Sequence, residues 1–107
     1  MKSLSLSEIL DNQDKHQLSF SGEDLEDALS YGFSYVETED HFVSYLVTNG
    51  RVMRNIVREM HDVEINPEDE SIGILWTSKL MVSNKLKDNQ IIFSNESGSM
   101  TLLLTIK

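Results

Sequence analysis

The hydrophobic pattern changes period along the chain, and the clearest stretch is in the middle. Val52, Met53, Ile56, Val57 and Met60 recur at helical spacing, while Arg51, Arg54, Asn55, Arg58 and Glu59 take the other side. That pattern predicts an amphipathic helix over 50–60, with Asn49 as its N-cap. Ahead of it, residues 42–48 are β-branched and aromatic and predict a strand. Behind it, Asn66-Pro67-Glu68-Asp69-Glu70 predicts a loop, because proline drives the preceding residue out of the helical region. Apolar runs over 72–77 and 79–83, separated by Ser78, predict two further strands. Two more are predicted at 91–93 and 100–106, after polar turns at 85–89 and 95–99.

The first forty residues are less regular. Ser5-Leu6-Ser7-Glu8 fits a capping box, in which serine and the glutamate three residues on satisfy each other's amides. The run from Asp11 to Gln17 is almost free of apolar residues and reads as an exposed connector. Residues 1–20 are therefore expected to form a flexible or partly helical arm, ordered only against a partner. A helix is expected over about 22–31, with Ser21 as N-cap, Phe20 and Leu25 as a hydrophobic staple, and Gly32 as a left-handed terminator. The predicted architecture is one α+β domain over 21–107, with two main helices followed by a mostly antiparallel β meander.

Composition narrows the function classes. With 107 residues, one core can form. The formal charge is −9, and it is uneven: residues 1–70 carry a balance of −11, residues 71–107 one of +2. A net-negative chain gains little from phosphate backbones, so direct nucleic-acid binding is not expected. The longest apolar runs are far shorter than the roughly 20 residues of a membrane span, and the N-terminal segment lacks the apolar core of a secretion signal. The absence of cysteine removes disulfide and thiolate chemistry.

No motif points to catalysis, a metal or a cofactor. His16, His41 and His61 share no ligand spacing, and His61-Asp62-Val63-Glu64 lacks a metal-binding signature. Asp40, His41 and Ser44 supply the residue types of a hydrolytic triad without a nucleophile elbow. No glycine-rich loop precedes a helix. Glu23, Asp24, Glu26 and Asp27 have their natural role as favourable charge at a helix N-terminus. Arg51, Arg54 and Arg58 form one stripe, since positions three and four apart are neighbours on a helix. Trp76 lies within an apolar run and is expected in the core, with an interface anchor as the alternative.

The order strand 42–48, helix 49–60, loop, then Gly73, Leu75, Trp76, Val82 and Ser83 resembles the axial (A) domain of tailed-phage major capsid proteins and encapsulins. Ile91-Ile92-Phe93 matches the strand after the turn in that domain, and the helix near 23–31 matches the helix ahead of its first strand. Thr77 stands where that family usually has glycine, and Lys87-Asp88-Asn89 replaces its Pro-Gly turn. At this length there is no room for the family's peripheral domain or extended loop. A truncated or free-standing domain is therefore expected, not a closed shell.

The resemblance implies a non-enzymatic structural or assembly protein of the cytoplasm or a virion. Its partner would be itself, in a ring-like homo-oligomer, or another virion or shell protein. The expected interface residues are Arg51, Arg54 and Arg58 on one copy and Glu23, Asp24, Asp27, Glu37 and Glu39 on a neighbour, with Trp76 as a possible anchor. No cofactor is expected. The alternative is a small acidic inhibitor or adaptor that presents carboxylates to a basic protein, as a DNA mimic does.

Overall fold

A computed structural model of the chain describes residues 4–22, 24–38, 41–60, 63–65, 68, 72–76 and 78–107, with the backbone alone at Ile72. In chain order its elements are α1 (Leu6–Asp11), β1 (His16–Phe20), α2 (Leu25–Thr38), β2 (Tyr45–Thr48) and α3 (Gly50–Glu59). The strands β3 (Val63–Ile65), β4 (Ile72–Leu75), β5 (Ser78–Val82), β6 (Gln90–Ser94) and β7 (Thr101–Ile106) follow. Among the described residues the fold is α+β: three helices and a seven-stranded mixed sheet in the order β1-β7-β6-β2-β5-β4-β3.

That order corrects the expected meander. The β3–β4, β4–β5 and β6–β7 pairs are antiparallel, but β5 and β6 are not neighbours. Strand β2 lies between them, parallel to β5 and antiparallel to β6. The reason is burial. All four β2 residues are buried, and a strand with no solvent-facing position belongs at the sheet centre. Residues 16–20, inside the stretch that reads as an arm, form β1, which pairs in parallel with β7 along His16↔Leu102 to Phe20↔Ile106.

The sheet packs on both faces. One cluster joins Leu29 and Val36 of α2 and Val52, Met53 and Ile56 of α3 to Leu46, Leu80, Phe93, Leu102 and Leu104 of the strands. The other places Ile9 of α1 on Tyr45, Val47, Met81 and Ile92. Alternate residues of β2 thus serve opposite layers, as the period of a strand requires. Among the described residues, every buried side-chain polar atom has a hydrogen-bond partner. Ser78, for example, donates from Oγ to the Val43 carbonyl at 2.6 Å.

Local signals at the helix termini were partly correct. The capping box forms: the Glu8 amide donates to Ser5 Oγ at 3.2 Å, and the Ser5 amide to Glu8 Oε1 at 3.3 Å. Asn49 caps α3, accepting from the Val52 amide at 2.8 Å. Helix α2, however, begins later and runs on to Thr38. Its first turn is held by Asp24, whose carboxylate accepts from the Glu26 amide at 3.0 Å and whose carbonyl accepts from the Ala28 amide at 3.2 Å. Gly32 does not end the helix. It lies buried in mid-helix against the Phe93 ring, where a Cβ would overlap the aromatic carbons. Close packing is the requirement here, not a left-handed backbone. That backbone occurs instead at Gly98, φ 80°, in the β6–β7 turn.

Gly32→Ala should therefore destabilise the protein by about 1–3 kcal/mol through overpacking, despite the better helix propensity of alanine. Phe93→Leu should recover part of that loss in the double variant. Urea unfolding of the four-member cycle measures the coupling.

Candidate protein-binding surface

The three arginines of the predicted stripe do not share one environment. Arg51, in the first turn of α3, donates from Nη1 to Asp88 Oδ2 at 2.9 Å. Asp88 also accepts from Asn49 Nδ2 at 2.6 Å, so the cap and the first-turn cation hold the same carboxylate. These two hydrogen bonds, from Asn49 first and Arg51 second, lower the Asp88 pKa from its ordinary value. Arg51 is thus engaged within its own chain by Asp88. It instead fixes the β5–β6 loop to the start of α3.

Arg54 and Arg58 remain outward-facing, one turn apart. Arg58 donates from Nη2 to Asn55 Oδ1 at 2.7 Å, which engages one of its five donors. Together with Met53, Val57 and Ile65 they line an open groove of about 590 Å³ between α3 and β3. The groove is apolar at its base and cationic at its rim. Val57 is 43% exposed in it.

A second depression, of about 320 Å³, lies at the end of the sheet where β2 begins. Ser30, Phe33, Ser34 and Glu37 of α2 line it, with Phe42, Val43 and Trp76. The sequence pattern predicts Phe42 within a strand, but β2 starts only at Tyr45, and Phe42 is 80% exposed. Trp76 was expected inside a strand and in the core. It stands instead in the tight connection between β4 and β5, which the Leu75↔Ser78 pair closes to two residues. Its φ is 50°, in the left-handed region that costs a bulky residue roughly 1–2 kcal/mol. Its ring, half-buried, meets Phe33 edge-to-face at 5.2 Å, and Phe33 meets Phe93 in the same manner at 5.8 Å. The aromatic row therefore connects the core to the depression.

The acidic candidates are dispersed. Asp24 is exposed and occupied as a helix cap, Asp27 is exposed in the first turn of α2, and Glu37 lines the aromatic depression. Glu23 and Glu39 lie outside the described residues, as do Asp40 and the His61-Asp62 part of the His61–Glu64 segment. His41 faces Asn95, with Nδ1 3.0 Å from Nδ2, and no hydrogen bond joins it to Ser44 among those described. No three His, Asp or Glu side chains gather as metal ligands among the described residues. No described helix is long and apolar enough to cross a membrane.

Sequence reasoning missed Phe42 and Val57 as surface residues. Their apolar character assigned them to the interior, and no periodic signal separates an exposed apolar residue from a buried one at an element's end. It also missed Asp88, which lies 37 positions from Arg51. Comparisons with protein-family models, curated proteins and solved structures return no match to the chain.

The lowered pKa means that Asp88 stabilises the fold above its unfolded-state pKa, and that this contribution is lost as pH falls through the lower folded-state value. At neutral pH, Asp88→Asn should shift the urea midpoint downward. The difference from wild type should shrink once the pH drops below the ordinary aspartate range. Arg51 and Asp88 are both exposed, so added salt should also narrow it.

Proposed function

We propose that this chain is a non-enzymatic assembly domain that acts by self-association or by binding another protein, as its resemblance to the A domain of the capsid and encapsulin fold implies. One observation carries the reading. Large apolar side chains, Phe42 and Val57, stand exposed at two open depressions whose charged residues have opposite signs, Glu37 at one and Arg54 with Arg58 at the other. Apolar centres with charged rims are the usual anatomy of protein interfaces, and arginine and aromatic residues contribute most to their affinity.

The chain order β2, α3, then β4, β5 and β6 is the sequence of elements on which that resemblance rests. The engaged state of Arg51 reduces the cationic surface of α3 to two side chains, which suits a local contact with a carboxylate better than a track along phosphates. A setting in the cytoplasm or a virion, with another copy or a shell protein as partner, follows from the same proposal.

Sedimentation velocity over a concentration series tests it. At low salt the weight-average sedimentation coefficient should rise with concentration, and at high salt it should fall back toward the monomer value, because rim charges are screened. A monomer at every concentration in both salts rules out self-association.

A further inference from the structure

Resting on that reading, we propose that the two depressions are the two halves of one head-to-tail contact: the Arg54–Val57–Arg58 face of α3 in one copy docks into the Phe33–Glu37–Phe42–Trp76 pocket of the next. The occupant of the pocket is thus a second copy of this chain.

The argument starts from what each half lacks. The pocket offers aromatic rings and the exposed carboxylate of Glu37. Its chemical complement is a cation on an apolar support, because guanidinium groups stack on aromatic faces and pair with carboxylates through several donors. The α3 face is such a group. Arg54 and Arg58 flank Val57 on one helical stripe, above the apolar base formed by Met53 and Ile65. Arg51 is unsuited to this role because Asp88 already holds it.

The apolar parts also correspond. The large hydrophobic side chains exposed among the described residues are Tyr31, Phe42, Val57 and Ile74. One of them stands at each depression. Bringing Val57 against Phe42 covers both in a single contact and leaves the opposite charges to meet around them.

The two halves share no residue, so each copy can give one contact and receive another. Such a heterologous interface closes into a ring or extends as a filament, whereas a self-complementary patch stops at a dimer. The edge-to-face contact of Trp76 with Phe33, itself packed on Phe93, accords with a preformed pocket.

Two surface variants separate the halves. Glu37→Gln with Phe42→Ala disables the pocket, and Arg54→Gln with Arg58→Gln disables the helix face. Each alone should weaken self-association at least tenfold in sedimentation equilibrium, with thermal unfolding confirming that both remain folded. Mixed in equal amounts, they retain one good contact between them, and they should form a one-to-one dimer and nothing larger. If wild type assembles while either variant assembles equally well, or if the mixture stays monomeric, the pairing of these two faces is overturned and self-association itself stands. If wild type never assembles, the self-association on which the pairing rests fails first.

Discussion

The fold depends on the burial of β2 on both faces. Leu46 faces the α2–α3 layer and Val47 faces α1, and the sheet centre is where both layers cover the strand. Once β2 is central, strands that follow one another along the chain can no longer all be neighbours. The connection from β5 to β6 must then pass the C-terminal end of β2. That is also where α3 begins. Asp88, on this connection, thereby comes within reach of Asn49 and Arg51. The ion pair is a consequence of the strand order, and it reinforces that order by tying the crossing loop down.

The opposite end of the sheet has a different character. The residues leading into β2 and the connection between β4 and β5 meet there beside the second half of α2. Their aromatic side chains form a row from Phe93 in the core through Phe33 to Trp76 at the surface. A rigid core thus extends to an exposed apolar site with one acidic side chain. On α3, the residues that pack inward alternate with Arg54, Val57 and Arg58, which form the cationic site. The core thus fixes the position of both surfaces.

Gly32 shows how a correct residue can carry the wrong signal. Glycine after an apolar helical run suggests a terminus, yet here it admits the Phe93 ring into the helix surface. The ring comes from β6, far along the chain, so no local pattern could report it. Likewise Trp76 reads as core by composition. Its place in a two-residue connection depends on the pairing of β4 with β5.

What the sequence alone determined lies within about one helical turn: the amphipathic α3, its Asn49 cap, the Ser5–Glu8 capping box, and the apolar runs that became β4 to β7. The helical features depend on residues three or four positions apart and the strands on contiguous apolar runs, so both are set by near neighbours in the chain. The tertiary structure alone decided the insertion of β2 between β5 and β6, the addition of β1 to the sheet, and which arginines stay outward. These are settled by contacts between distant residues, and they depend on which arrangement buries both faces of the central strand.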